Sequence, residues 1–333
     1  MRPSRVLLQL APASLAAQEP SLAPARAFSS KLSVDADVSD RYRTTAGQYD
    51  SDVDLAERTM RMGKKRRDLI QRARGHVLEV SVGTGRNLPY YLLGERRGVD
   101  KDGKAAVLGC RSVTFIDLWP EMVDIARWKY ETMGSNKEKG NNSNNKAEVV
   151  FLAQDAMGEV RSPAGTKFDT VVQTMGLCSH PEPVNLLKHL GELLSDEDED
   201  HDDGRILLLE HGRGHYGWLN GLLDGLAAAH ADRHGCWWNR DIGEIVRQSG
   251  LEVVEARRYH LGTTWDDQDQ ASSSPSLQSA VPVASLRPFL LTLTLSDYQP
   301  ASDWAIVIHA KAGSAAGIDS TAPLVYLQDE EET

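Results

Sequence analysis

The segment Val77-Leu78-Glu79-Val80-Ser81-Val82-Gly83-Thr84-Gly85-Arg86-Asn87 constrains the fold more than any other stretch of this chain. Its apolar, valine-rich first half predicts a buried strand over His76 to Val82. Two glycines separated by one residue then predict a tight turn that lets the backbone approach a ligand closely, followed by a helix whose first N–H groups are open to an anion. The spacing is not the G-x-G-x-x-G of dinucleotide-binding turns, which argues against a nicotinamide oxidoreductase.

Six further β-rich runs alternate with helix-permissive stretches: Val113 to Asp117, Val149 to Leu152, Thr170 to Thr174, Arg205 to Glu210, Leu251 to Tyr259 and Trp304 to His309. Strands alternating with helices predict an α/β fold, here a seven-strand, mostly parallel, Rossmann-like sheet with helices on both faces and a short antiparallel last strand. Apolar residues at helical spacing mark the intervening helices, as in Val184, Leu187, Leu190 and Leu194. In an open α/β sheet ligands bind at the carboxyl ends of the strands, which places Glu79, Asp117 and Asp155 along one crevice.

The chain has 333 residues with 37 Lys and Arg against 48 Asp and Glu, a formal charge of -11. Such a balance offers no general positive field to a phosphate backbone, so nucleic acid is not expected as a partner. The three cysteines, Cys110, Cys178 and Cys236, lie far apart in sequence without C-x-x-C spacing, so neither a disulfide framework nor a metal site is expected. The longest apolar tract near the N-terminus, Val6 to Ala17, is too short and too interrupted to span a bilayer.

Residues 1–34 carry Arg2, Arg5, Arg26 and Lys31 against the single acid Glu19, with serines scattered between small apolar residues. This is the composition of a mitochondrial presequence, although a disordered tail would share it. Residues 35–75 read as a polar helical segment containing the basic cluster Lys64-Lys65-Arg66-Arg67, either a solvated helix face or a contact for an anionic membrane surface. The main domain runs over 76–313, with polar insertions near 94–109, 134–146, 196–203 and 266–285 that bury too little apolar surface to order themselves. A tail follows at 314–333.

Taken in order, these motifs resemble those of class I S-adenosylmethionine-dependent methyltransferases. Glu79 to Gly85 is similar to the family's glycine motif, Glu-x-Gly-x-Gly-x-Gly, with Ser81 where the first glycine usually stands. Val113 to Asp117 resembles the second strand, whose terminal acid accepts hydrogen bonds from both ribose hydroxyls, and Leu118 the apolar residue stacked on adenine. Gln154-Asp155-Ala156 resembles the adenine-amine motif. Met175 to His180, Leu209 to Gly212 and Gly235 to Asp241 look closer to the type-11, quinone-methyltransferase-like branch, which includes fungal mitochondrial methyltransferase-like proteins. The acidic run Asp196 to Asp203 departs from the Lys-Pro-Gly-Gly-like turn common there.

The resemblance implies S-adenosylmethionine as cofactor, held by Glu79, Val80, Ser81, Gly83, Thr84, Gly85, Asn87, Asp117, Leu118, Asp155, Ala156 and Gln173. It further implies methyl transfer to a small or lipophilic acceptor in mitochondria, in the matrix or at the matrix face of the inner membrane, where peripheral association is one option. A non-catalytic methyltransferase-like assembly factor of the respiratory chain is the alternative, kept open by Ser81 and the acidic insertion. Methyl transfer needs alignment and exclusion of water more than an acid or base. His211, beside Glu210 at the end of its strand, is the candidate to take an acceptor's proton, with His180 and His215 clustered near it in sequence. The apolar helix around Trp218, Leu219, Leu222, Leu223 and Leu226 is expected either to lid an acceptor pocket or to serve as ordinary core.

Overall fold

The structure, a computed structural model, describes residues 36–99, 105–137, 147–195, 204–259, 264–265 and 304–309. The segments 1–34, 196–203, 266–285 and 314–333, expected as presequence, insertions and tail, lie outside the described residues, as does 138–146. Three helices open the described chain, α1 (Asp40–Thr45), α2 (Tyr49–Thr59) and α3 (Met62–Ile70). Then come β1 (Arg74–Val80), β2 (Arg96–Val99), β3 (Ala105–Asp117), α4 (Pro120–Lys137), β4 (Glu148–Ala153), β5 (Thr170–Thr174), α5 (Pro183–Glu192), β6 (Arg205–Glu210), α6 (Gly217–His234), α7 (Ile242–Ser249), β7 (Val253–Tyr259), β8 (Thr264–Trp265) and β9 (Trp304–His309).

Strands β4, β3, β1, β5 and β6 run parallel in that spatial order, and β9 inserts antiparallel between β6 and β7. All seven expected strands are present, and among the described residues the sheet carries two more. One, β8, pairs antiparallel with β7. The other, β2, lies inside the segment 94–109 expected to be an unstructured insertion. There β3 starts at Ala105, eight residues before the anticipated strand, and its first part folds back on β2 as an antiparallel hairpin. The hairpin buries little, with Val99 and Val107 both exposed. Backbone pairing that continues the ladder of β3 holds it, and hydrophobic patterning alone does not report such pairing.

Every residue of β5 is buried, as are all but the first of β6, and Val77 to Val80 are buried in β1. Strands covered on both faces read as continuous apolar runs, which is why these three were legible in sequence. One core gathers β1, β3, β5 and β6 with Met62, Leu69 and Ile70 of α3, Leu186, Leu187 and Leu190 of α5, and Ile242 and Val246 of α7. A second core joins Val38 to Leu219, Leu223, Ala227 and Ala231 of α6 and to Cys178, Cys236, Trp237 and Trp238. Gly235 ends α6 in the left-handed conformation, and Asp241 caps α7 by accepting the Glu244 N–H at 3.0 Å, in the Asp-x-x-Glu pattern of a capping box. The chain between those caps is thereby driven into the second core.

The chain order proceeds from β1 outward to β3 and β4 and returns to β5 on the other side of β1. A crevice opens at such a reversal, outside the carboxyl ends of the strands.

Candidate active site

At the end of β1 the backbone turns through three left-handed residues, Ser81 at φ 55°, Gly83 at 54° and Gly85 at 80°. At Gly85 a Cβ would stand 2.5 Å from Leu88 Cδ1 and the backbone is left-handed, so a side chain there would have to displace Leu88 and bear strain, whereas nothing stands within 4 Å of the position a Cβ would take on Gly83. Strain at Ser81 costs on the order of 1 kcal/mol, and the serine keeps the turn that glycine would make. The helix expected after this turn is absent. A single 3-10 turn over Leu88–Tyr90 replaces it, with Pro89 in its middle and the Asn87 side chain drawn inward. No helix N-terminus therefore faces the crevice at this point.

Asp117, at the end of β3, accepts the Gly83 N–H on Oδ2 at 2.9 Å and the Trp119 N–H on Oδ1 at 3.0 Å. Both bonds orient the carboxylate, and each oxygen retains acceptor capacity for a ligand hydroxyl. Burial raises the Asp117 pKa, against the pull of these N–H donors. Beside it the cleft is walled by Leu118 and Trp119, then by Gln154, Asp155 and Ala156 beyond β4. Ser81, Gly83, Thr84 and Asn87 complete the floor.

Four residues expected in this set do not reach the cleft surface. Val80 and Gln173 are fully buried, Gly85 packs on Leu88, and Glu79 lies beneath the floor. There Glu79 accepts from Tyr91 Oη at 2.5 Å and from Asn87 Nδ2 at 3.0 Å, and burial pushes its pKa up to about 7. Its strand position points it into the core, where it fixes Asn87.

Several cleft residues went unrecognised in the sequence. Tyr42 and Tyr49 reach it from the N-terminal helices, and Arg66 from the basic cluster that read as a solvated face. Arg66 is only 4% exposed. It pairs with Glu57 at 2.8 Å and donates to Asn87 Oδ1 at 3.0 Å and Thr174 Oγ1 at 3.1 Å. The signal was available, because Met62, Arg66, Leu69 and Ile70 follow helical spacing and share the buried face of α3. Arg86 binds Asp50, Asp54 and Glu57 at 3.0, 2.9 and 2.8 Å, so α2 is clasped over the glycine turn. Thr84 adds a hydrogen bond to Asp50 at 2.7 Å.

A second cavity adjoins the first, and Tyr42, Tyr49 and Met175 line both. Its far wall holds His211, Cys178 and Cys236. His211 Nε2 stands 2.9 Å from Cys236 Sγ. Two cysteines separated widely in the chain thus meet in space, contrary to the expectation from their spacing, because the loops after β5 and α6 are tied together: the Trp237 N–H donates to Cys178 O at 3.0 Å, and Arg240 Nη1 to Leu177 O at 2.6 Å and His180 O at 2.5 Å. A hydrogen bond from Cys236, helped by His211, pulls the Cys178 pKa well below its usual range, while burial pushes Cys236 up. Of the three histidines, only His211 lines the second cavity. His180 lines the first cavity, and the exposed His215 sits against Arg258 at 3.1 Å.

Helix α6 does not present Trp218 and Leu222 to either cavity. They are 67% and 41% exposed, while Leu219 and Leu223 face the second core. Tyr42 of α1 and Tyr49 of α2 line both cavities instead. Leu222→Asp is accordingly expected to change stability by less than about 0.5 kcal/mol and to leave donor binding unaltered, as thermal melts and titration calorimetry would show. A collapse of either would return Leu222 to the interior.

A family model described as a methyltransferase domain matches residues 48–256. Over 232 residues the chain is 38% identical to the mitochondrial methyltransferase OMS1 of Saccharomyces cerevisiae, a match covering 69% of this chain and 45% of that protein, so the chain spans less than half the length of this relative. Among solved structures, a chain of the complex between the Haloferax volcanii Trm112 methyltransferase activator and a methyltransferase aligns with a TM-score of 0.46 at 14% identity, covering 84% of this chain and 100% of that one. The magnesium protoporphyrin IX methyltransferase of Synechocystis PCC 6803, solved with bound SAH, aligns with a TM-score of 0.41 at 13% identity, covering 82% and 93%. No helix among the described residues is long and apolar enough to cross a membrane. The glycine turn, the strand-terminal Asp117 and the parallel sheet that joins them lie within the matched span, and the chain belongs to the methyltransferase domain family.

Proposed function

We propose that this chain transfers a methyl group from S-adenosylmethionine to a small or lipophilic acceptor in mitochondria. The observation that carries this reading is the pair of adjoining cavities with a common wall of Tyr42, Tyr49 and Met175, one built on the glycine turn and Asp117, the other lined with aromatic and sulfur-containing side chains together with Asp52, Glu57, Arg233 and histidines. S-adenosylmethionine, when bound, supplies an electrophilic methyl on a sulfonium. The first cavity fits it on its own residues. Gly83 leaves open space where a Cβ would stand, Asp117 is oriented toward ribose hydroxyls by two backbone N–H groups, and Leu118 and Trp119 offer an apolar surface for a purine.

Asp155 and Ala156 close the adenine end, and Asp155 is itself steadied by accepting the Met157 N–H at 2.9 Å. Arg86 holds α2 over the turn, and Tyr49 of α2 lines both cavities, a covering that would serve a reaction limited by alignment and desolvation. Ser81 weighs little against activity, since it adopts the left-handed backbone that the turn requires. The mitochondrial setting is supported by the composition of residues 1–34 and by the similarity to a mitochondrial yeast methyltransferase.

Titration calorimetry with S-adenosylmethionine and with NAD tests the donor. Binding of the first and not of the second is expected. Asp117→Ala should weaken it by about 1.5–3 kcal/mol, the scale of bonds to a charged group. That corresponds to roughly ten- to hundredfold in Kd. An unchanged Kd in a folded Asp117→Ala protein would remove Asp117 from the site.

A further inference from the structure

The second cavity contains a group of side chains that methyl transfer alone does not require. Cys178, His211 and Cys236 each present one ligand atom, and all three atoms lie within 4.8 Å of one another. Among the described residues no other His, Cys, Asp or Glu group of three or more meets that distance. We propose that Cys178, Cys236 and His211 bind one zinc ion, with the fourth coordination position open to the second cavity.

Tetrahedral zinc with thiolate and imidazole ligands places its donor atoms about 3.5–3.8 Å apart, so an adjustment on the order of 1 Å turns the present cluster into a coordination sphere. The ligands come from three separate chain segments whose backbones are already fixed. Met175 N–H donates to Leu209 O at 2.8 Å, Trp237 N–H to Cys178 O at 3.0 Å, and Arg213 N–H to Arg240 O at 2.8 Å. Both cysteines are buried, at 1% and 4% exposure, so the site is formed from desolvated soft donors and not from surface carboxylates. Thiolates and imidazole select zinc over magnesium or calcium.

A second, independent feature lies beside them. Glu210, adjacent to His211 and fully buried, spends Oε1 on the N–H groups of Gly176 and Leu177 at 2.9 and 3.2 Å. Its other oxygen, Oε2, is buried without a hydrogen-bond partner. Two buried thiols and a buried carboxyl side by side concentrate latent negative charge that a divalent cation neutralises, with Glu210 as an outer-shell group.

Three protein ligands rather than four is the arrangement of a zinc site that keeps a position for water or substrate. All three line the cavity that the proposed function gives to the acceptor. On that reading, a lone-pair atom of the acceptor coordinated there would lose its proton to solvent and be held in place, and His211 would act as a ligand rather than as a base.

The test uses the full chain, purified after growth with zinc and dialysed against a chelator-free buffer, then analysed for metal by plasma mass spectrometry. About one zinc per chain is expected in the unsubstituted protein and in Cys110→Ser, and less than about a tenth of that in Cys178→Ser and Cys236→Ser. Cobalt added to chelator-stripped protein should give thiolate-to-cobalt charge-transfer absorption that His211→Ala weakens. Because a substituted chain could misfold, stripping and refilling the unsubstituted protein supplies the same readout without substitution. Absence of zinc and of the cobalt spectrum in the refilled protein overturns the site, as does a Cys178–Cys236 disulfide found by non-reducing peptide mapping of protein prepared without oxidant. Titration with S-adenosylmethionine on the same samples separates the two proposals, since loss of donor binding with zinc retained would defeat the methyl-transfer reading alone.

Discussion

Arg66→Ala is expected to destabilise the fold by about 3 kcal/mol, at the lower end of the range for breaking a buried ion pair. The reason lies in what Arg66 joins. It stands on the buried face of α3 and reaches Glu57 of α2, Asn87 of the turn after β1, and Thr174 at the end of β5. Its removal leaves Asn87 Oδ1 without that donor, in a region where burial penalises an unpaired polar atom. The loss stays near the lower bound because Glu57 keeps Arg86 on its other oxygen at 2.8 Å. Arg66→Lys should restore little, since a single ammonium on a flexible stem does not reproduce a planar fork spanning three acceptors. Urea unfolding of both variants measures this. A loss below about 1 kcal/mol would mean that the network contributes little to holding the N-terminal helices on the sheet.

That prediction turns on a residue whose neighbours disguised it. Lys64 and Arg67 are exposed, Lys65 is half-buried with its ammonium 3.8 Å from the Tyr259 ring centroid, and a run of four basic residues reads as one face although a helix distributes it over several. Periodicity from Met62 through Ile70 places Arg66 inside, yet a charged residue on an apolar face looks like an interruption of the pattern until its partners are known. The partners, Glu57, Asn87 and Thr174, are set by packing between segments as much as 108 positions apart.

The strands, by contrast, were legible because β1, β5 and β6 are covered on both faces and carry unbroken apolar runs. Asp117 was legible for a related reason: a carboxylate that ends such a run has to emerge at the sheet edge. Glu79 shows where this logic stops. Its side chain points to the core one residue before the strand ends, and the same spacing that marks the motif does not say on which side of the backbone each member falls. Cys178 and Cys236 show a different limit, since 58 positions separate them and only the bonds from Trp237 and Arg240 bring their loops together.

The inward placement of Glu79 has a measurable consequence. Its carboxyl is fully buried, and burial raises its pKa from 4.5 to about 7. The folded state therefore binds this proton more tightly than the unfolded chain does, so between about pH 4.5 and 7 the native protein holds more protons and its stability falls as pH rises. The contribution is fully present below the unfolded value and is lost as pH passes through the folded one. A shift of this size corresponds to about 3 kcal/mol. Carboxylates such as Glu57, lowered by Arg66 and Arg86 against the cost of their burial, act in the opposite sense, so the profile of the unsubstituted protein alone does not isolate the effect. Glu79→Gln does. An amide keeps an acceptor for Asn87 Nδ2 and a polar group for Tyr91 Oη, and it cannot ionise. Relative to this variant, the unsubstituted protein should lose about 3 kcal/mol between roughly pH 4.5 and pH 8, measured by urea unfolding at each pH. Equal pH dependence in the two proteins would show that Glu79 is ionised at its ordinary pKa, and hence that water or a cation reaches it from the cleft floor above.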